Sequence, residues 1–385
     1  MARRSHTLTS AVLPLVAVGF VLAALAANPL AAAESRQWAL CRGADGVTRA
    51  EAIAACSALL QEPAKANRAM VLGLRGRQYY LAEHYDAAIA DFDAAIALNG
   101  ELPQPVHYRG LALAAKGETD RAIADFSRVI ALDPSFSAAY FRRGLAYYSK
   151  NDFDHAVADF DHAIARDSTD GMSYHYRGLS HLKRGEAQLA ISDFSEVIKH
   201  NANDALALYN RGNAYAANND APHALADYDR AVALDRRDIR FLKARAELRR
   251  SNGNLDGALA DLDAVLQLKP GDRTALLDRS SVYAAKGEQE KSEVDYAAVV
   301  TARLQQVMLY PPGARDNHEQ GDVRVSFAID RDGNVTSSAV TAASNNALFD
   351  REALAMIHRA EPFPSPSLIG KETEEFATTI KFKLF

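Results

Sequence analysis

A 34-residue period runs through most of this chain, and no other feature limits its fold as strongly. Arg75, Arg109, Arg143, Arg177, Arg211, Arg245 and Arg279 stand 34 residues apart. So do Asp91, Asp125, Asp159, Asp193, Asp227, Asp261 and Asp295. Each Asp is followed by Phe92, Phe126, Phe160, Phe194, Tyr228, Leu262 or Tyr296. Each Arg is followed by Gly76, Gly110, Gly144, Gly178 and Gly212, then by Ala246 and Ser280. Ala88, Ala122, Ala156, Ala190, Ala224 and Ala258 mark a further column, which ends at Ser292. Within a unit two stretches are amphipathic at helical spacing. Phe141, Leu145 and Tyr148 mark the first of the third unit, and Val157, Phe160 and Ile164 the second. Gly117, Asn151, Gly185, Asn219, Gly253 and Gly287 lie between such stretches and tolerate a left-handed turn. Asp133-Pro134 and Lys269-Pro270 separate one unit from the next. A single helical hairpin cannot bury its apolar face, whereas stacked hairpins share a continuous core.

This register resembles the tetratricopeptide repeat (TPR) family, over about 69–306 and seven units without an insertion. The resemblance implies an α-helical superhelix with a concave groove lined by the first helix of each unit. Carried onto this chain, the family's fifth positions are Gly73, His107, Phe141, His175, Tyr209, Lys243 and Leu277. Ninth positions include Arg77, Leu111, Leu145, Leu179, Asn213 and Glu247, and Arg240 is at a second position. His107, Phe141, Leu145, Tyr148, His175, Tyr209, Asn213, Arg240 and Lys243 are therefore the expected peptide-binding residues. Such a surface suits an extended or helical peptide with apolar anchors. Some family members hold a terminal carboxylate in a Lys/Asn/Arg clamp. Here only Asn210 and Arg240 occupy clamp-like places, with His175 where a Lys is expected.

The Arg and Asp columns admit two readings, a ligand-binding ladder or an ion-pair ladder joining helices. A residue present in all seven units answers a need that every unit has. The second reading is therefore preferred, and binding specificity is expected where the units differ.

The N-terminus reads as an export signal. Arg3 and Arg4 precede an uncharged, mostly apolar run from Ala11 to Ala27, and Ala31-Ala32-Ala33 offers a cleavage site before Glu34. The competing reading is an uncleaved inner-membrane anchor. The run spans about 26 Å as a helix, short of the roughly 30 Å hydrocarbon core, so cleavage after residue 33 into the periplasm is expected. In that oxidising compartment Cys41 and Cys56 are expected to pair, contributing about 3 kcal/mol by the chain-entropy model; two buried thiols are the alternative. Residues 34–68 read as a degenerate leading unit. Ala52-Ile53-Ala54-Ala55-Cys56 parallels Ala88-Ile89-Ala90-Asp91-Phe92 at an offset of 36, with the bridge replacing the packing of a full helix pair.

After residue 306 the period stops. Val323, Val325, Phe327 and Ile329 alternate with polar residues as a half-buried strand. Asp332-Gly333-Asn334 forms a turn into a weaker strand over 335–341, Leu348 to Ala360 reads as a helix, and Pro362, Pro364 and Pro366 bar any helix. Phe376, Thr378, Ile380, Phe382 and Leu384 alternate as a third strand, giving a small β-β-α-β domain. At Tyr310-Pro311, Gly321 to Val335, Asp350 to Leu354, Ala360 to Pro366 and Ile380 to Leu384 the stretch resembles the C-terminal domain of the TonB family, over about 308–385. That resemblance implies a periplasmic domain that binds a receptor's N-terminal segment by strand addition. The implied receptor-peptide edge comprises Tyr310, Pro311, Phe376, Thr378, Ile380 and Phe382. A full TonB transducer also carries a membrane helix with a His and a long Pro-rich linker. Residues 11–27 hold no His, and a rigid array stands in place of the linker.

The remaining chemistry is sparse. There is no Gly-rich phosphate loop, no G-x-S-x-G and no H-E-x-x-H, so no enzyme and no cofactor is expected. His155, Asp159 and His162 have metal-compatible spacing, but Asp159 belongs to the repeated column. A net charge of −5, or −7 after loss of 1–33, argues against a nucleic-acid partner. The expectation is thus an α + β multidomain chain: signal peptide 1–33, capping segment 34–68, seven units over 69–306 and a TonB-like domain over 307–385. Its expected work is that of a periplasmic adaptor with protein or peptide partners in the cell envelope, an outer-membrane receptor among them. A membrane-anchored energy transducer, a scaffold for envelope complexes and a homodimer through the last domain are the alternatives.

Overall fold

The computed structural model describes residues 29–61 and 67–383. The expected signal segment lies outside these residues as far as Asn28, as does Leu384. The chain divides into two compact units, up to Pro134 and from Ser135 onward.

The first unit holds three helix pairs. They are α1 (Pro29–Arg42) with α2 (Arg49–Gln61), α3 (Arg68–Leu81) with α4 (Tyr85–Leu98), and α5 (Pro103–Ala115) with α6 (Thr119–Leu132). Cys41 and Cys56 are joined and fully buried, beside Leu59 and Val71. The leading segment is thus more than the degenerate cap expected from sequence. It forms both helices of a hairpin, and the bridge adds to their packing.

The second unit continues with five pairs: α7 (Ser137–Ser149) and α8 (Phe153–Arg166), α9 (Gly171–Lys183) and α10 (Ala187–His200), α11 (Ala205–Ala217) and α12 (Ala221–Leu234), α13 (Ile239–Ser251) and α14 (Leu255–Leu268), α15 (Arg273–Ala285) and α16 (Gln289–Gln306). The column residues explain the pairing. Phe92, Phe126, Phe160 and Phe194 are buried and lie on the glycine that follows the column Arg. A Cβ at Gly212 would stand 2.6 Å from the Tyr228 ring, so close approach of the two helices requires the small residue. Gly117, Asn151, Gly185, Asn219, Gly253 and Gly287 all take positive φ between the helices, as expected. In the pair α3–α4 that place falls to Glu83 at φ 63°, which no turn signal marks.

The C-terminal domain follows with α17 (Pro312–Asp316), β1 (Gly321–Asp330), β2 (Val335–Ala342), α18 (Ala347–Arg359) and β3 (Thr373–Phe382). The antiparallel strand order is β2-β1-β3. Val323, Val325, Phe327 and Ile329 point inward with Phe349, Ala353 and Ile357 of α18, while the opposite sheet face is polar. One expectation fails locally. Pro366–Ile369 forms a short 3₁₀ turn, because proline at a helix's first position lacks only an N–H that would be unpaired anyway.

The shared core of α16 and this domain is the main departure from two modules joined at residue 306. α16 has 18 residues where α8, α10, α12 and α14 have 14. Its Tyr296, Val300 and Leu304 belong to the same buried cluster as Phe327, Phe363 and Phe382. The Tyr296 hydroxyl donates to the Pro364 carbonyl, and its ring stacks on Phe376 with centroids 5.8 Å apart. Arg303 Nε donates to Ala360 O at 2.9 Å, Arg359 Nε donates to Val307 O at 3.1 Å, and Lys371 Nζ lies 2.7 Å from Glu293.

Candidate functional site

The repeated Arg and Asp residues form ion pairs between helices. In every unit the column Arg on the first helix donates two bonds to the column Asp on the second, as Arg75 does to Asp91 at 2.7 Å and Arg211 to Asp227 at 2.7 and 2.8 Å. The remaining nitrogen often reaches back to the preceding pair: Arg109 to Asp93, Arg177 to Asp161, Arg245 to Asp229 and Arg279 to Asp263, at 2.5–2.7 Å. Ser57 and Ser195 take that place for Arg75 and Arg211. This second acidic column was not read from sequence. Its signal is an Asp two residues past the first column, interrupted by Ser127 and Ser195.

In the second unit the first helices approach one another more closely than the second helices do, so α7, α9, α11, α13 and α15 line the inner side. Many expected groove residues on this side are engaged with a neighbouring pair. Phe141 meets Phe160 and Tyr176, His175 meets Phe194 and lies 3.5 Å from Asn210, and Tyr209 meets Tyr228 and Phe241. Lys243 pairs with Asp272 at 2.5 Å, and Leu277 packs on the C-terminal core. The fifth position is thus a bridge between consecutive pairs. Asn213 accepts from the Tyr228 hydroxyl at 2.7 Å. Leu145 and Tyr148 are half-buried, and Tyr148 meets Phe153 and Tyr176, with burial raising its phenol pKa. In the first unit His107 is buried beside Tyr108 and Phe126.

The clamp-like residues do not assemble a clamp. Burial lowers the His175 pKa and so favours its neutral form, Asn210 is buried, and Arg240 is held by Asp238 at 2.6 Å. Nor are His155, Asp159 and His162 brought together. His155 bonds to Asp152, Asp159 to Arg143, and His162 lies on the Tyr140 ring. Among the described residues no group of three or more His, Cys, Asp or Glu could hold a metal ion.

The inner side also holds residues that column reading passed over. Tyr176 is one of them, a half-buried ring that meets Phe141, Tyr148 and Phe160. Near the C-terminal domain, Arg250, Arg273, Leu277, Asp278 and Leu368 line a cavity of about 500 Å³. Burial raises the Asp278 pKa, with Glu247 adding like charge. Leu277 stands in the fifth-position column, but Arg250, Arg273, Asp278 and Leu368 carry no repeated pattern, so a search for columns does not find them.

The sheet offers a second surface. β3 pairs with β1 in unbroken register from Gly321↔Phe382 to Asp330↔Thr373. The β1–β2 register is broken twice. β3 is therefore the straighter edge, and alternate residues turn an unpaired N–H and C=O outward. The expected side chains lie elsewhere. Ile380 and Phe382 are buried and Phe376 and Thr378 half-buried, all on the inward face, so they shape the core rather than the edge. Tyr310 stands edge-on to Phe349 and Phe382, and Pro311 is buried.

Comparisons with known proteins agree with this division. The family described as Gram-negative bacterial TonB protein C-terminal matches residues 306–384, and the tetratricopeptide repeat family matches 107–171, 177–239 and 243–306. Protein TonB of Pseudomonas putida is 38% identical over 77 residues, which are 20% of this chain. The match spans 32% of that relative's length. Among solved structures, the C-terminal part of a TPR repeat-containing protein from Cytophaga hutchinsonii is 23% identical with a TM-score of 0.52, covering 60% of this chain and 94% of its own. YrrB, described as a TPR protein with an unusual peptide-binding site, is 24% identical with a TM-score of 0.44, covering 48% and 95%. The likeness to the Cytophaga protein shows the repeat fold.

Proposed function

We propose that this chain, a tetratricopeptide repeat protein that ends in a TonB-family C-terminal domain, is an envelope adaptor. Its repeats hold a protein partner, and its β3 edge takes up an extended peptide of an outer-membrane receptor or another envelope protein. The observation that carries this reading is the unbroken ten-residue edge of β3, set against the irregular pairing of β2. An extended chain would complete the outward hydrogen bonds of that edge. The joined Cys41 and Cys56 support an oxidising compartment, and so export to the periplasm by the N-terminal signal. Among the described residues no helix is long and apolar enough to cross a membrane. The energy-transducing alternative depends on residues 11–27, which lie outside them.

The test uses the full chain and a synthetic peptide from the N-terminal segment of an outer-membrane receptor. Along an antiparallel edge, one of Ala377 and Thr378 directs its N–H outward and the other toward β1. Binding should shift the amide resonances of β3 and leave those of β2 in place. Of Ala377→Pro and Thr378→Pro, the one that removes the outward N–H should abolish binding while the sheet remains folded. Shifts confined to the repeats would end the strand-addition reading.

A second reading is favoured by the Tyr296–Pro364 bond and the shared core. In it the domain is the terminal cap of a scaffold, and the repeats alone retain partners.

A further inference from the structure

The fifth position of the pair α3–α4 is Gly73, where the other units carry His107, Phe141, His175, Tyr209, Lys243 and Leu277. In the second unit that side chain bridges to the next pair, as Phe141 does to Tyr176 and Tyr209 to Phe241. At Gly73 there is no bridge, and a cavity of about 340 Å³ opens between α3 and α5. Met70, Leu74, Leu102 and Pro105 form its apolar walls, and a Cβ on Gly73 would stand 3.4 Å from Pro105 Cγ. This volume is at the lower end of the roughly 300–1,000 Å³ of ligand pockets.

One guanidinium lines this cavity, and a second lines the hollow that shares Met70 with it. Arg77 lines the cavity and lies over the Tyr108 ring, 5.8 Å from the centroid. Its Nε is buried with no hydrogen-bond partner, and no carboxylate pairs with Arg77 among the described residues. The column arginines, by contrast, each hold an Asp. On the other side Met70 is shared with a second hollow lined by Trp38, Arg42 and Asn67. Arg42 lies over Trp38, 5.7 Å from the ring centroid, and it too has no ion pair among the described residues. A chain seated on the apolar walls would therefore continue past Met70 toward Arg42, with a cation at each side.

We propose that this surface binds an internal acidic peptide segment: a bulky apolar side chain seated over Gly73, with carboxylates on either side meeting Arg77 and Arg42. Charge complementarity selects the occupant. Two unpaired guanidiniums on a chain of net charge −5 favour acidic residues, and the apolar walls favour a large side chain between them. The inference deepens the proposed function and rests on its repeat half, namely that the repeats bind peptide.

The test measures fluorescence anisotropy of labelled peptides with the full chain. One peptide carries Glu-Glu-Leu-Phe-Glu-Glu between Gly/Ser flanks. A second replaces every Glu with Gln, a third with Lys, and a fourth has its sole carboxylate at the C-terminus after Leu-Phe. The acidic peptide should bind at least about tenfold more tightly than the Gln form, and the Lys form should not bind. Arg77→Gln and Arg42→Gln should each weaken the acidic peptide several-fold. Gly73→Leu should abolish its binding without lowering the thermal midpoint, because Leu is the better helix former and fills the cavity. Equal binding of the acidic and Gln peptides, binding of only the C-terminal carboxylate, or no binding at about 1 mM would overturn the proposal. Binding that ignores Gly73→Leu and Arg77→Gln would overturn it while leaving the repeats as a peptide-binding array. The β3 edge is tested separately by its own peptide, so the two readings can fail independently.

Discussion

Arg177 grips Asp193 with two parallel N–H···O bonds, 3.0 and 2.5 Å long, across the two helices of one hairpin. Its third nitrogen reaches Asp161 of the preceding pair at 2.5 Å. One side chain therefore fixes both the hairpin and its stacking on the next. Burial works against the Arg177 charge, and the bonds to Asp193 and Asp161 more than offset it, so the guanidinium is held above its ordinary range.

The two carboxylates on Arg177 differ in what their loss should cost. Asp193 is 4% exposed and Asp161 56%. Asp193→Ala leaves a partly buried guanidinium without its main partner and should cost about 2–3 kcal/mol. Asp161→Ala removes a solvent-screened bond and should cost about 0.5 kcal/mol. Urea titrations followed by helical circular dichroism would compare them.

Glu83 is a non-glycine residue at φ 63° where other pairs place Gly or Asn. Glu83→Gly should stabilise the first unit by about 0.5–1 kcal/mol, since Gly accepts the left-handed conformation without a Cβ clash. Glu83→Val should destabilise it. Thermal midpoints of the two variants provide the check.

Gly333 tolerates no side chain. It takes φ +84°, and a Cβ there would stand 2.1 Å from Phe363 O, while Gly333 O accepts from Phe363 N at 2.9 Å. Gly333→Ala should destabilise the sheet by about 3 kcal/mol or more and weaken peptide uptake at β3. Amide exchange of β1 and β3 would report the effect.

His175 should make stability depend on pH. Burial lowers its pKa in the folded protein, while the unfolded residue titrates near about 6.5. Below that value the unfolded state binds more protons, so this contribution is present above pH ~6.5 and is lost as pH falls through the folded pKa. Asp204 opposes the shift without cancelling it. His175→Phe, matching Phe141 in the same column, should lose less stability on acidification than the parent. Thermal midpoints at about pH 7.5 and pH 5 measure the difference.

The repeated hairpins were legible in the sequence because every unit solves the same packing problem with the same residues. Arg75 with Asp91, Phe92 on Gly76, and the positive-φ turn at Gly117 all follow from the period. The small domain was legible because β1 alternates cleanly. What lay hidden was information that breaks a column. Tyr296 occupies the aromatic column like Phe160, and nothing in the period says that its hydroxyl serves Pro364. The fifth-position residues were expected to face a ligand, but Phe141, Tyr209 and Lys243 also bridge neighbouring pairs. Gly73 matters through the side chain it lacks, which a search for shared residues overlooks.

The adaptor account needs the strand-adding edge to be fixed on the end of the repeat array. Tyr296 is where the two meet, so native-state hydrogen exchange across α16 and β1 is the most direct measurement. In the parent chain the slow amides of both elements should open together, with one free energy. Tyr296→Ala should lower that value in both elements equally, by about 3–5 kcal/mol. If the β1 amides keep their protection while α16 loses it, the domain is an independent module on a tether, and the account is wrong.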